Sequence, residues 1–145
     1  MTLHITCTRL LAFDAAHRVA EHESKCKYVH GHRYTVEASF AAPRLDALGR
    51  VADFGVIKER LGGWLDQHWD HTAILWEKDA PLGEAIAALT RQRIFYLPYN
   101  PTAENLARYL LEEICPSLFA QSNLRCMSVR VWETPNCFAD AVHDE

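Results

Sequence analysis

The chain has 145 residues, of which 49% are apolar and 23% charged, and its formal net charge is −4. This length and composition predict one globular domain over residues 1–145 and exclude a disordered chain. The negative charge argues against nucleic acid or an anionic membrane as a partner.

The N-terminal residues and the cysteines favour a cytoplasmic protein. We expect no signal peptide, because no basic segment followed by an apolar core opens the chain, and no apolar run reaches the roughly 18 residues of a membrane span. The five cysteines are scattered. Without an export signal, that pattern is typical of free thiols in a reducing compartment.

The first predicted element is a strand that begins at Leu3 and leads to His17. Apolar side chains recur at odd positions as far as Phe13, which is the period of a half-buried strand. A polar loop over residues 20–27 follows and contains Cys26.

The second predicted strand starts at His30 and His32 and continues to Phe40. Apolar residues alternate with polar ones over residues 34–40, and both histidines share the apolar parity. Residues two apart in a strand point to the same face, so both imidazoles are expected to face inward unless Gly31 forms a bulge.

A hairpin between these strands would bring His17 beside His30 and His32, and this predicts a metal site. Three imidazoles with an open fourth position form a catalytic zinc arrangement, although neutral imidazole also suits other transition metals. Cys26 is either a fourth ligand of a closed structural site or a nucleophile or base near an open metal. The spacing alone does not choose between these two roles.

A helix is predicted from the N-cap Asp53 to about residue 68, and an Asp70-His71 pair follows it. A carboxylate beside an imidazole orients it for proton transfer, but the same pair at a helix end also satisfies local backbone groups. Residues 81–89 are compatible with a short helix, and Ile94–Leu97 with a short strand.

A second long helix is predicted to begin at the N-cap Thr102, with Glu104 in its first turn and Pro116 at its end. Two strands follow, over residues 125–133 and 138–142. Glu133 ends the apolar face of the first of these strands. A carboxylate there is costly unless it is solvated or finds a partner.

The predicted order gives an α+β fold with antiparallel strands and two helices packed on one face, arranged β-β-α-α-β-β. Four blocks of this sequence resemble the 6-pyruvoyl-tetrahydropterin and 6-carboxy-tetrahydropterin synthase family. The first block joins Phe-Asp-Ala-Ala-His at 13–17 with Cys-x-x-x-His-Gly-His at 26–32, and the others are Asp-His at 70–71, Pro-Thr-Ala-Glu at 101–104 and Glu-Thr at 133–134. Trp69 and Leu75 depart from the leucine and asparagine that the family commonly carries around its Asp-His pair.

The resemblance implies the T-fold, in which a barrel is completed by oligomerisation, often in a hexamer built as a dimer of trimers with active sites at subunit interfaces. It implies zinc held by His17, His30 and His32, with 7,8-dihydroneopterin triphosphate as substrate.

The resemblance also assigns roles to further residues. Cys26 would act as a base, His71 with Asp70 would transfer protons, and Glu133 would anchor the pterin ring. Thr102 and Glu104 would lie close to the pterin.

Two products are compatible with this set of residues. A 6-carboxy-tetrahydropterin synthase, a step toward 7-deazapurines such as queuosine, releases acetaldehyde and triphosphate, whereas a 6-pyruvoyl synthase eliminates only triphosphate. We favour the carboxy enzyme.

The competing classes are a non-enzymatic zinc module with a closed Cys-His₃ site, and a metal-free cysteine hydrolase using Cys26, His71 and Asp70.

Overall fold

The computed structural model describes residues 3–144. It contains six strands, which are β1 (Cys7–His17), β2 (His30–Ala41), β3 (Thr72–Trp76), β4 (Ile94–Leu97), β5 (Arg125–Thr134) and β6 (Cys137–Val142). Helix α1 covers residues 54–68, α2 covers Ala80–Thr90 and α3 covers residues 103–118. Short 3₁₀ turns lie at Lys25–Lys27 and Glu77–Asp79. No helix in this part of the chain has the length and apolar character needed to cross a membrane.

The six strands form one sheet in the order β4-β3-β1-β2-β5-β6. The pairs β1–β2, β2–β5 and β5–β6 are antiparallel, as the sequence predicts. Strands β3 and β4 are different, because β3 runs parallel to β1 and β4 runs parallel to β3. The prediction of a purely antiparallel sheet is therefore wrong for these two strands. The short helix suggested at residues 81–89 and the short strand suggested at Ile94–Leu97 are present as α2 and β4.

The β1–β2 hairpin has the predicted register and no bulge at Gly31. Its pairs run from Cys7 opposite Phe40 to His17 opposite His30 without a shift. Strand β1 begins at Cys7 and not at Leu3, which is 82% exposed. Alternate side chains of β2 are buried from Tyr34 to Phe40.

The buried face of the sheet packs against the helices, so the α+β prediction is confirmed. Apolar residues of α1 and α3 meet the inner face of β1, β2 and β5 in one core. Its largest fully buried members are Trp69, Tyr34, Phe13, Phe40, Ile57, Leu61, Leu65, Ile74, Leu97, Leu106 and Leu110.

Helix α1 begins as predicted, because the Asp53 carboxylate accepts the Gly55 N–H at 2.9 Å. It consists of Phe54–Ile57, a π-helical segment over Lys58–Gly62, and Gly63–His68. Helix α3 is built in the same way from Ala103–Tyr109, the π-helical Leu110–Ile114 and Cys115–Leu118.

The prediction that Pro116 ends helix α3 is wrong, because the helix continues to Leu118. Proline is tolerated in the first turn of a helical segment, where its missing N–H has no intrahelical partner. The π-helical turn before Cys115 provides such a restart. A helix can therefore pass through a proline that would end a regular α-helix.

Candidate functional site

Three histidines and one glutamate meet at the end of the β1–β2 hairpin. The metal-ligating atoms of His17, His30, His32 and Glu133 all lie within 4.8 Å of one another. His17 lies opposite His30, and His32 lies opposite Ala15, so both strands of the hairpin contribute to the cluster. Glu133 reaches it from β5, where it follows Trp132, the residue opposite Thr35.

Backbone carbonyls orient two of the imidazoles. His17 Nδ1 lies 2.7 Å from the Pro101 carbonyl oxygen, and His30 Nδ1 lies 2.7 Å from the Tyr28 carbonyl oxygen. A carbonyl only accepts hydrogen bonds, so Nδ1 carries the proton and the Nε2 lone pair is free. Ligand histidines in metal sites are held in this way by their second nitrogen.

Two inner nitrogens of the cluster have no hydrogen-bond partner within residues 3–144. His17 Nε2 and His32 Nε2 are both buried and unpaired, although the Glu133 Oε1 atom is 3.5 Å from the first and 2.9 Å from the second. Neither contact has the alignment of a hydrogen bond. Buried nitrogens are rarely left in this state, and a metal ion would satisfy them. The donor set therefore fits a bound metal such as zinc.

The protonation states of the cluster also suit a metal. Contact with His17 lowers the pKa of Glu133, against the effect of burial. Burial lowers the pKa of His32, against the effect of Glu133. The cluster thus favours an ionised carboxylate and a neutral imidazole, which are the forms that bind metal ions.

Cys26 lies outside this group of ligand atoms. It is half-buried in the otherwise exposed 3₁₀ turn Lys25–Lys27, and its carbonyl accepts the Val19 N–H at 2.8 Å. Among the described residues, the candidate metal group takes Glu133 and not Cys26 as its fourth member. The described structure thus gathers a carboxylate, and not a thiol, beside the three imidazoles.

Asp70 and His71 lie on the turn between α1 and β3. The Asp70 carboxylate accepts the Asp14 N–H at 2.9 Å through Oδ1, and its Oδ2 lies 2.9 Å from His71 Nδ1. The hydrogen bond from Asp14 is the main cause that lowers the pKa of Asp70. His71 has a left-handed backbone (φ 59°), and its N–H donates to the Asp14 carbonyl at 2.6 Å. The carboxylate is thus fixed by β1, and it in turn orients the imidazole.

The His71 side chain is accessible and close to the cluster. It is 77% exposed and lines an open cleft of about 380 Å³ together with Gly31, His32 and Arg33. A larger cleft of about 650 Å³ adjoins His32 and Glu133 and is also lined by Trp132 and Thr134. His71 and one histidine of the cluster therefore border the same cleft.

The two remaining predicted site residues lie at the start of α3. Thr102 caps the helix, since its hydroxyl accepts the Asn105 N–H at 3.1 Å. Glu104 is exposed in the first helical turn and is outside the histidine cluster. Their predicted contacts with a pterin stay predictions.

Sequence reasoning missed the residues that support the site from outside. Pro101 orients His17 through a backbone carbonyl, which has no sequence signature. The Asn100 side-chain amide forms hydrogen bonds with both backbone groups of Ala20. It accepts the N–H of Ala20 at 3.0 Å and donates to the carbonyl of Ala20 at 2.9 Å. In the sequence, the Asn-Pro pair before Thr102 indicates only the entrance to a helix, because long-range partners of this kind are not visible in a single sequence.

Comparison with known proteins identifies the family. Residues 6–144 match the family model described as 6-pyruvoyl tetrahydropterin synthase. The chain is 47% identical over 136 residues to 6-carboxy-5,6,7,8-tetrahydropterin synthase from Rickettsia conorii, covering 94% of this chain and 99% of that protein.

Two solved structures share the fold. An uncharacterized protein from Wolinella succinogenes matches with a TM-score of 0.79 at 20% identity, covering 99% of this chain and 100% of that one. The 6-pyruvoyl tetrahydropterin synthase of Caenorhabditis elegans matches with a TM-score of 0.65 at 21% identity, covering 99% and 100%. The predicted T-fold is confirmed, and the chain belongs to the 6-pyruvoyl tetrahydropterin synthase family of enzymes.

Proposed function

We propose that this chain is a zinc-dependent 6-carboxy-5,6,7,8-tetrahydropterin synthase that acts on 7,8-dihydroneopterin triphosphate. The observation that carries the choice of product is the similarity to the Rickettsia conorii enzyme of that name, which extends over nearly the whole of both chains. The cluster of three imidazoles and one carboxylate supports a metal-assisted reaction.

His17, His30 and His32 would hold the metal. Their common orientation, with two Nδ1 atoms on backbone carbonyls, supports this assignment. When bound, zinc polarises oxygen atoms of the substrate's side chain and makes the neighbouring protons more acidic.

Two separate groups would move those protons. Cys26 would act as a base from the turn after β1, and His71 would act from the cleft that also contains His32. Asp70 would keep the His71 ring in place and stabilise it when it is protonated, since their side chains are 2.9 Å apart. Two proton-transfer groups match a reaction that shifts protons at more than one side-chain carbon.

Although its carboxylate lies among the candidate metal-ligating atoms, Glu133 would bind the pterin ring and leave the metal to the three histidines. The 2-amino group and the neighbouring ring N–H of a pterin form an edge with two donors, which a carboxylate can accept in bidentate fashion. The larger cleft reaches both Glu133 and His32, so a ring held there would present its side chain to the cluster. Thr102 and Glu104 would lie close to the bound pterin.

The active form would be a homo-oligomer, namely a hexamer made of two trimers with sites at the subunit interfaces. The sheet ends at β4 on one side and β6 on the other, and both edges are open in the single chain. Pairing between copies would close such a sheet into a barrel.

The overall reaction would consume one water. Loss of triphosphate, together with proton shifts, converts the side chain into a diketone. Water then adds across the bond between the two carbonyl carbons and cleaves it. One carbon becomes the 6-carboxylate and the remaining two leave as acetaldehyde. The product would serve the synthesis of 7-deazapurines such as queuosine.

The test is an incubation of the zinc-loaded protein with 7,8-dihydroneopterin triphosphate, with products identified by mass spectrometry. We expect 6-carboxy-tetrahydropterin, acetaldehyde and triphosphate. A 6-pyruvoyl product would keep the site assignments and replace the carboxy enzyme by a 6-pyruvoyl synthase. Unchanged substrate with zinc present would refute both activities and favour a non-enzymatic zinc module.

A further inference from the structure

An ion pair ties the residue after His17 to the segment between β3 and β4. Arg18 Nε lies 2.7 Å from Asp79 Oδ2, and Arg18 Nη2 lies 2.5 Å from Asp79 Oδ1. This is the two-point contact in which the guanidinium group matches a carboxylate best. The Asp79 side chain is only 10% exposed, whereas that of Arg18 is 33% exposed.

The Asp79 side chain does not cap the helix that begins beside it. It directly precedes α2, where an aspartate commonly caps the helix, yet its side chain makes no capping hydrogen bond. Its carboxylate is turned toward Arg18. The cost of removing this carboxylate from water is therefore compensated by its ion pair with Arg18, the residue that follows His17.

The same guanidinium group of Arg18 also reaches the turn that carries Cys26. Arg18 Nη1 lies 3.5 Å from the carbonyl oxygen of Lys27, which immediately follows Cys26. The adjacent Val19 N–H donates to the Cys26 carbonyl at 2.8 Å. Arg18 thus connects the first residue after β1, the turn around Cys26 and the start of α2.

The same loop is fixed on its other side by Asn100, which pairs with both backbone groups of Ala20. Asn100 holds the loop at a point six residues before Cys26. The contacts of Arg18 and Val19 lie directly at the turn. The position of the Cys26 thiol therefore depends more on the contacts of Arg18 and Val19, which Asp79 supports, than on those of Asn100.

We propose that Asp79, acting through Arg18, is a positioning residue that holds the turn carrying Cys26 in a fixed position. The proposal rests on the proposed function, in which Cys26 is the base. It assigns a role to the segment between β3 and β4. The proposal also implies that Arg18 does not bind the triphosphate, because the guanidinium group of Arg18 is already occupied by the Asp79 carboxylate.

The test compares the zinc-loaded full chain with two variants, Asp79→Asn and Arg18→Lys. Lysine keeps the charge beside Asp79 but lacks the planar fork that contacts two partners. The matched control is Arg50→Lys, since Arg50 pairs with Asp46 at 2.9 Å on the loop before α1, outside the cluster. Three quantities are measured, namely zinc content, the steady-state constants kcat and KM, and the rate of Cys26 alkylation by iodoacetamide, read by peptide mass spectrometry.

We expect kcat to fall about tenfold in both variants with KM changed less than about twofold, because a displaced base slows chemistry more than binding. Cys26 alkylation should rise about threefold or more as the turn loosens, while alkylation of the exposed Cys137 stays unchanged. Zinc content should stay at the wild-type level, and Arg50→Lys should match the wild type in all three measurements.

Unchanged kcat and alkylation in a folded variant would overturn the proposal. Unfolding of both variants would make the pair a stability element only, and would overturn it as well. If the wild type itself does not turn over the pterin triphosphate, the proposed function fails, and the alkylation rates still decide whether Asp79 positions Cys26.

Discussion

The two parts of the candidate site are built on different kinds of backbone. His17, His30 and His32 lie on paired strands with an unbroken register, and the inner nitrogens of His17 and His32 are buried. Cys26 and His71 lie on turns, one in a 3₁₀ turn and the other with a left-handed backbone. The first part is held by a continuous strand ladder, whereas the second is held by a few isolated hydrogen bonds, such as those from Val19 to the Cys26 carbonyl and from His71 to the Asp14 carbonyl.

This difference matches the demands of the two tasks. A metal site needs several ligands at fixed mutual distances, which the strand register sets and the carbonyls of Pro101 and Tyr28 refine by orienting two of the rings. A proton-transfer group must reach a substrate that enters and leaves, so it needs exposure, and its position then depends on partners such as Asp70. We therefore expect substitutions in the two parts to have separable effects.

The largest effect should come from the strand-built part. His32→Ala removes one of the three imidazoles, and we expect the affinity for zinc to fall by more than about a hundredfold, since even outer-shell changes cost roughly 10- to 100-fold. Metal content after dialysis, measured by mass spectrometry, checks this. His68→Ala is the matched control, because His68 packs against Trp64 and lies outside the cluster. Equal zinc retention in both variants would contradict the assignment.

An effect of comparable size, but on turnover and not on metal affinity, should come from the turns. Cys26→Ala should lower turnover by about 10²- to 10⁴-fold, the usual contribution of a general base, while zinc stays bound. The measurement is kcat with the pterin triphosphate, together with metal content on the same sample. Cys137→Ala serves as the control thiol. Loss of zinc from Cys26→Ala would mean that Cys26 is a ligand and that the separation of the two parts is wrong.

A smaller effect should follow from disturbing α2, which begins directly after Asp79. A methyl group on Gly83 would overlap the Tyr96 hydroxyl and approach its Cζ atom to 2.8 Å. We expect Gly83→Ala to reduce the free energy of unfolding by about 1–3 kcal/mol, as overpacking does. Urea denaturation measures the change.

The control for that substitution is Gly63→Ala in α1. Gly63 has helical backbone angles, and a methyl group added to its Cα would point into open space. Alanine there should stabilise the protein by about 0.5–1 kcal/mol. If both variants were stabilised, the close contact between α2 and β4 would not limit the residue at position 83.

The smallest effect is the contribution of Asp70 to stability. Its pKa is lowered in the folded state, first by the Asp14 N–H and then by His71. A lowered pKa stabilises the fold above the unfolded value of about 3.9, and this stabilisation is lost as the pH falls through the folded pKa. We expect Asp70→Asn to cost less than about 1 kcal/mol at pH 7, because the pair is partly exposed.

Unfolding free energies of the wild type and Asp70→Asn between about pH 7 and pH 3 test this. The difference between the two proteins should be constant at neutral pH and shrink as the pH falls below about 4. A difference that grows on acidification would have the wrong sign for a carboxylate of lowered pKa.

The sequence predicted the histidine hairpin because its pattern is local. Alternation along β1 and β2 determines which side chains face inward, and a strand period of two then brings His30 and His32 to one face. The N-caps Asp53 and Thr102 were predictable for the same reason, since a cap bonds to backbone groups two or three residues away.

Contacts between distant segments were decided only by the tertiary structure. The parallel placement of β3 beside β1, the position of Glu133 in the cluster and the Arg18–Asp79 pair join residues that are far apart in the chain. A single sequence carries no record of such distances. The continuation of α3 through Pro116 was not predicted either, because it depends on the π-helical segment before Cys115, which places the proline in the first turn of a new helical segment. Residue type and spacing thus fix the local geometry of this protein, whereas the partners that support its site are chosen by packing.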